Sequence, residues 1–355
     1  MAEKDKEERI EETLELVNKA DKERKSNKDK SYVEKDSDAV IRLGKEPNKD
    51  IETIPTGSLS LDAALGVGGI PRGRVVEVFG KESSGKTTLA LHMLAETQKQ
   101  NGVTAFVDVE HALDPKYAGD IGVDIDELLF TQPNYGEEAL QIVEELIRSG
   151  NVDMVVVDSV SALAPIAELE DDMDEAQVGL QARLMSKAMR KITGAISQHK
   201  TTVVFLNQIR SKINSGYGKR TTTSGGRALS FYSSVRINIY INKTLTNSDG
   251  QRIGINTHAK VVKNKVAPPF REGVFDIMYG KGIVRERELL NLGVEYGVID
   301  RSSAWYSHND DTLGQGKRKA VKYLLDNPEV ANKIETRIRE EMNLMNKQAK
   351  TEEEK

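Results

Sequence analysis

Between Ile51 and Gly282 short apolar, β-branched runs alternate with stretches whose apolar positions recur at helical spacing. Val75 to Phe79, Thr104 to Asp108, Met154 to Asp158 and Thr202 to Asn207 read as strands. Thr87 to about Gln100, Ala139 to Arg148 and Ala182 to Ile196 read as helices. Strands apolar on both faces, separated by helices, predict a mainly parallel sheet with helices on both sides. From Val235 to Gly282 the runs are joined by polar turns, which predicts antiparallel strands added to that sheet. The expected organisation is a charged arm and linker over residues 1–50 and an α/β core over 51–282. A small α+β C-terminal domain over 283–346, with a turn-rich stretch around Trp305, and a charged tail over 347–355 complete it. In the arm, Ile10, Leu14, Leu16 and Val17 could line one helix face. The residues alone leave open a solvated helix or an arm that docks on a neighbouring subunit.

Composition narrows the chemistry. The 355 residues include no cysteine, which excludes thiol catalysis, disulfides and cysteine-based metal clusters. No apolar run approaches the roughly 20 residues needed to span a bilayer. The charged stretch from Met1 to Arg9 has no signal-peptide core, so a cytoplasmic protein without membrane contact is expected. The net charge of -5 argues weakly against nucleic acid, because only local basic surface matters there.

The sharpest motif is Gly80, Lys81, Glu82, Ser83, Ser84, Gly85, Lys86 and Thr87, followed by Thr88. It fits the phosphate-loop pattern between a predicted strand and helix. The glycines let backbone N–H groups face phosphates at a helix N-terminus, Lys86 adds a point charge, and the Thr87 hydroxyl suits Mg²⁺. Asp158, ending the apolar strand, is placed to reach the metal through water. Glu110 lies just past another strand end, where open α/β sheets place ligands. Position alone makes it a water-activating base or a solvated loop carboxylate.

With these motifs, further stretches carry a resemblance. They are Thr56-Gly-Ser-Leu-Ser-Leu-Asp62, Val109-Glu-His-Ala-Leu-Asp-Pro115, Val156-Val-Asp-Ser-Val160, Asn207-Gln-Ile-Arg210, Phe231-Tyr-Ser-Ser-Val-Arg236, Val262-Lys-Asn-Lys265 and Leu313-Gly-Gln-Gly-Lys317. Spread in order from about Val40 to Asn332, they resemble the bacterial RecA family of DNA recombinases; a phage source is left open. The resemblance implies a RecA-like ATPase fold using ATP and Mg²⁺, with Lys86, Glu110 and Gln208 catalytic. It implies Asp114, Tyr117, Tyr279 and Gly280 around the base, and Gln208 as the γ-phosphate sensor. It also implies a helical homo-oligomeric filament, with Phe231 at its interface. Lys263 and Lys265, alternating on a presumed strand, would reach the neighbour's ATP; the residues alone favour a solvated basic edge strand.

For DNA, the resemblance implies two loops lining a filament axis. The first, Glu170 to Gln177, is acidic and so an unusual DNA contact. The second, Ser211 to Arg227, is rich in Gly, Thr and basic residues, and composition alone would also allow a plain surface loop. By the match, single-stranded DNA is held by Arg183, Ser186, Arg190, Lys212, Ser224, Gly225, Gly226 and Arg227. Ile213 would wedge between bases. Lys317 and its basic neighbours resemble a second site for homologous duplex, or form an ordinary cluster at a helix start. Repressor and loader proteins are further partners that the resemblance suggests. Rival readings are another motor of this fold, such as a ring helicase, and a non-enzymatic DNA-coating protein; Lys86, Thr87, Glu110 and Asp158 together argue against the second.

Overall fold

The structure is a computed structural model that describes residues 6–26, 39–40, 42, 51–170, 179–211, 221–309 and 311–353. It divides into two compact units, residues 1–51 and 52–355. In the first, helix α1 (Lys6–Ser26) has half-buried Ile10 and Leu14 one turn apart. Leu16 is 69% exposed and Val17 is exposed too, so the expected four-residue stripe shrinks to two. Leu16, two positions beyond Leu14, faces the other side of a helix. Asn18, one turn beyond Leu14, exchanges two hydrogen bonds with the Val40 backbone, and Glu7 pairs with Arg42.

The second unit opens with β1 (Thr53–Ile54), α2 (Leu59–Leu65) and β2 (Ile70–Pro71). The Ser58 hydroxyl caps α2 by accepting the Leu61 N–H, and left-handed Gly66 ends it. Then follow β3 (Val75–Gly80), α3 (Lys86–Lys99), β4 (Thr104–Asp108), α4 (Pro115–Ile121), β5 (Leu129–Thr131), α5 (Gly136–Arg148), β6 (Met154–Asp158), α6 (Ile166–Glu170), α7 (Leu180–His199) and β7 (Thr202–Ser211). After them come β8 (Thr221–Thr223), α8 (Ala228–Tyr232), β9 (Val235–Thr246), β10 (Arg252–Asn264), β11 (Glu272–Met278) and β12 (Gly282–Ile283).

Among the described residues these strands form a ten-stranded sheet ordered β12-β11-β10-β9-β3-β7-β6-β4-β5, with β8 attached to β7. Every pairing from β9 to β5 is parallel, and β10 to β12 continue the sheet antiparallel. Strand alternation supplies both faces. Val76, Val78, Phe106, Val156 and Val204 pack under α2, α3 and α4, while Val75, Val107, Val157 and Phe205 pack under α5 and α7. One position breaks the apolar run. Glu77 in β3 is 0% exposed.

The second loop is shorter than its composition predicts. β-Branched Thr221 to Thr223 pair antiparallel with Ile209 to Ser211, so a hairpin holds its two ends. Beyond the sheet lie α9 (Arg285–Glu295), β13 (Asp300–Ser302), β14 (Trp305–His308), β15 (Asp311–Gln315), α10 (Lys317–Asp326) and α11 (Pro328–Glu353). The stretch around Trp305 is therefore a three-stranded antiparallel sheet rather than a run of turns. Its alternation is short: Trp305 is half exposed and Tyr306 buried. Tyr306 joins a separate core with Leu289, Leu313, Leu324, Ile334 and Ile338, and Leu59 of α2 enters that core too.

Two carboxyls sit at this junction. Glu288 Oε1 accepts from the Ser58 hydroxyl, the Ser60 hydroxyl and the Ser60 N–H at 2.7, 2.7 and 3.1 Å. Its Oε2 has no partner among the described residues. Asp62 Oδ1 accepts from the Thr56 N–H and hydroxyl, both at 2.8 Å, and Arg339 stands 3.8 Å from Oδ2. Burial pushes both carboxyls up to about 7, each despite the hydrogen bonds it accepts.

Candidate functional site: the carboxyl edge of the parallel strands

Parallel register brings the sequence motifs to one edge. Gly80 is aligned with Gln208, and Asp108 with Asp158. The phosphate loop then turns into α3, whose Gly85 cap (φ 95°) provides no side-chain hydrogen bond, leaving first-turn N–H groups for an anion. Glycine is required at both ends of the loop: a Cβ on Gly80 would lie 2.2 Å from the Ile239 carbonyl oxygen, and one on Gly85 2.3 Å from the Ile277 Cδ1. Lys86 Nζ and Ser84 Oγ both donate to the Lys81 carbonyl, at 2.9 and 2.8 Å. Burial lowers the Lys86 pKa even though Asp158, Glu110 and Glu82 oppose the shift. An ammonium that three carboxylates do not fully compensate is suited to a phosphate chain.

Thr87 donates to Asp158 Oδ2 at 2.7 Å. Burial raises Asp158 to about 6, with Glu110 and Asp108 adding to the shift and Thr87 and Lys86 opposing it. A bound dication would reverse that balance, and a hydroxyl beside a carboxylate is a hard-oxygen set that fits Mg²⁺. The expected phosphate and metal ligands therefore come together.

Glu110 is exposed at the same edge. Its Oε1 accepts from the Ser159 hydroxyl and, at 3.2 Å, from Gln208 Nε2. The segment is shaped from below: the Val109 and Glu110 N–H groups donate to the Asp158 carbonyl, while Asp108 accepts from the Ala112 and Leu113 N–H groups and from Gln132 Nε2. Sequence reading missed Ser159, although it lies inside a quoted motif, and Asp108, the last residue of a predicted strand. Tyr117 is half buried, its hydroxyl 2.9 Å from that of Thr88. Asp114 has a local duty: its carboxylate caps α4 by accepting the Lys116 N–H, ahead of Pro115 in the first turn. Exposed Tyr279 and Gly280 occupy the turn into β12. That turn is fastened to α3 by His92, whose Nε2 accepts the Ile283 N–H at 2.8 Å. Burial lowers His92 to about 4, which keeps it a neutral acceptor.

Other predicted residues are more scattered. Lys263 lies on β10 and Lys265 one residue beyond it, and the bulge between Val261 and Lys263 precedes both. The regular pairing of Lys263 with Arg236 and Asn264 with Val235 runs on to the Lys265 N–H on the Ser234 carbonyl, so two-residue alternation still relates the two lysines. Lys263 Nζ is turned inward to the Ser230 and Phe231 carbonyls at 2.8 and 3.0 Å, at the end of α8. Burial, then Lys265 and Arg236, lower its pKa against the pull of Glu77. Lys265 is exposed, and so is Phe231, at 69%.

Arg183, Ser186 and Arg190 share one face of α7, with both arginines exposed. Left-handed Gly225 and Gly226 lie against that helix: added Cβ atoms would meet Met185 and Ala182, respectively, and the Gly225 N–H donates to Gln181. Ser224 precedes them and exposed Arg227 follows, leading into α8. Lys212, Ile213 and residues 171–177 of the acidic loop lie outside the described residues; Glu170 ends α6. Lys317 is far along the chain from these groups, at the start of α10, donating to Asn291 Oδ1 at 2.9 Å. Burial lowers its pKa, with Arg287 and Lys243 adding to the effect and Asp276 opposing it.

Strand, glycine loop and uncapped helix, with Lys86, Thr87, Asp158 and Glu110 converging, define a phosphate-loop ATPase of the parallel-sheet type. Comparison with known proteins goes further. A family model for the RecA N-terminal domain matches residues 24–284, and one for the RecA C-terminal domain matches 287–343. The chain is 58% identical over 305 residues to Protein RecA of Streptomyces avermitilis, covering 86% of this chain and 80% of that protein. It is 56% identical to Protein RecA of Saccharopolyspora erythraea and 54% identical to that of Frankia alni, over 86% of this chain and 88% of each relative. The chain belongs to the RecA family. It is an ATP- and Mg²⁺-dependent DNA recombinase that forms filaments on single-stranded DNA and exchanges strands with homologous duplex. No helix among the described residues is long and apolar enough to cross a membrane.

Proposed function

We propose that this cytoplasmic recombinase hydrolyses ATP with Glu110 activating the attacking water, and that Gln208 reads the γ-phosphate. The supporting observation is that Gln208 Nε2 and the Ser159 hydroxyl meet on the same oxygen of Glu110. A side chain that must leave Glu110 to reach phosphate frees that carboxylate at the moment it is needed. The loop from Gly80 to Thr88 and Lys86 hold the phosphate chain, while Tyr117, Asp114 and the turn at Tyr279 and Gly280 border the base. Thr87 and, through water, Asp158 hold Mg²⁺, which neutralises phosphate charge as it develops. Lys265 reaches the ATP of the adjoining protomer directly, and Lys263 does so after releasing the two α8 carbonyls. Arg183, Ser186, Arg190, Ser224, Gly225, Gly226 and Arg227, with Lys212 and Ile213, hold single-stranded DNA mainly through its backbone. Lys317 serves duplex DNA.

Mixing two inactive variants tests the shared site. Glu110→Gln alone should keep ATP binding and lose about 10² or more in hydrolysis. The Lys263→Ala, Lys265→Ala double variant should be slow for want of the neighbour's charge. In an equimolar mixture, about a quarter of head-to-tail interfaces pair an intact Glu110 with intact lysines, so hydrolysis stimulated by single-stranded DNA should recover to about that fraction. A mixture no faster than its components would overturn the cross-subunit role. Turnover by Glu110→Gln near the unmodified rate would remove Glu110 as the base.

A further inference from the structure

Glu77 is the anomaly in the central sheet. A carboxylate at 0% exposure in the middle of a parallel strand is costly, and an apolar residue would satisfy the packing better. The surroundings show what it does. Glu77, Asn207 and Arg236 project to the α7 side from three adjacent strands, β3, β7 and β9. Glu77 is directly opposite Arg236 and, with Asn207 opposite Phe79, diagonal to Asn207. Glu77 Oε1 accepts from Asn207 Nδ2 at 3.0 Å, and Oε2 accepts from Arg236 Nε at 2.5 Å. The Arg236 guanidinium also lies 4.6 Å from the centre of the Phe79 ring.

Asn207 is used at both ends. Its Nδ2 also donates to the Ser224 carbonyl at 3.1 Å, and its Oδ1 accepts the Gln208 N–H at 2.8 Å. One amide thus holds the backbone of Gln208 and the residue at which the DNA loop rejoins the fold. On the other side, Arg236 is paired in register with Lys263. We propose that Glu77, Asn207 and Arg236 are positioning residues forming a buried relay, through which movement of Gln208 is felt both at Ser224 and on the strand of Lys263. The proposal rests on Gln208 as reader of the γ-phosphate. Displacing Gln208 pulls on the Asn207 amide, and Asn207 cannot turn without breaking its bond to Ser224 or to Glu77. Glu77 sets the pivot because its other oxygen is already fixed by Arg236.

The readout is the gain in affinity for fluorescent oligothymidylate caused by a slowly hydrolysed ATP analogue, measured as the ratio of two dissociation constants. Asn207→Ser should bind the analogue as the unmodified protein does, yet lose about tenfold of that gain. Glu77→Gln, which keeps an acceptor for Asn207, should lose less. A merely structural role lowers the melting temperature and weakens both DNA constants together without changing their ratio, and an unchanged ratio in both variants overturns the relay. Hydrogen exchange on the unmodified protein guards against variants that fold poorly. With analogue and no DNA, amides of residues 222–229 should change in protection, and no change there also overturns the relay. If analogue gives the unmodified protein no gain in DNA affinity, the Gln208 reading itself fails, a different result from a gain that the variants leave intact.

Discussion

Two sets of buried carboxyls show two ways of keeping an acid inside a protein. Within the sheet, Glu77 has both oxygens occupied and a guanidinium nitrogen at 2.5 Å. At the junction of α2 with the C-terminal helices, Glu288 receives three donors on one oxygen and none on the other, and the nearby cation stands 3.8 Å from Asp62 rather than in contact. The first arrangement is directional and links strands that surround the nucleotide. The second tolerates its carboxyls largely by letting them keep protons, as their shift to about 7 records. Burial alone therefore does not tell a coupling element from a proton-dependent seam; the partners of the second oxygen do.

That contrast can be broken most sharply at Arg236. Arg236→Ala leaves Glu77 buried without its cation, and we expect a loss of about 3–5 kcal/mol in urea unfolding. A loss below about 1 kcal/mol would show that the pair is solvated and the contrast unfounded. Next comes the pH dependence of the junction. Both carboxyls hold protons to about 7 when folded but release them near pH 4 when unfolded, so the folded state binds more protons in between. Their stabilising contribution is complete below about pH 4 and is lost as pH rises towards 7. Asp62→Asn with Glu288→Gln should remove that decline and raise the melting temperature at pH 8. Melting curves as steep in pH as those of the unmodified chain would show that other groups set the slope. Arg339→Ala should matter least, by at most about 1 kcal/mol, because its approach to Asp62 is long and its two hydrogen bonds to Glu335 belong to a partly solvated i,i+4 pair. A larger loss would move the junction towards the arrangement seen at Glu77.

The sheet was readable because Met154 to Val157 and Thr202 to Leu206 are apolar on both faces, a pattern that exposed strands do not carry. The phosphate loop was readable because its spacing is dictated by backbone contact with phosphate. Ser159 and Asn207 were hidden for the opposite reason: short polar residues after a strand are ordinary, and only the register gives them partners. Glu77 did leave a signal, an acid between valines, that strand patterning passed over. Strands β13 to β15 escaped because their alternation spans only a few residues each. Asp114 also has a local duty that its place in a motif did not reveal, as the cap of α4.

The relay also constrains how this sequence can drift. Glu77, Asn207 and Arg236 are separated by 130 and 159 positions from first to second and from first to third, yet no one of them can change without stranding another's hydrogen bond. Substitution at any one should be purged unless a second change accompanies it. Among RecA sequences the three positions are therefore expected to vary together or stay fixed, while neighbouring valines exchange freely with isoleucine. What holds the strands together in one molecule would then appear, across many, as a shared inheritance of three distant letters.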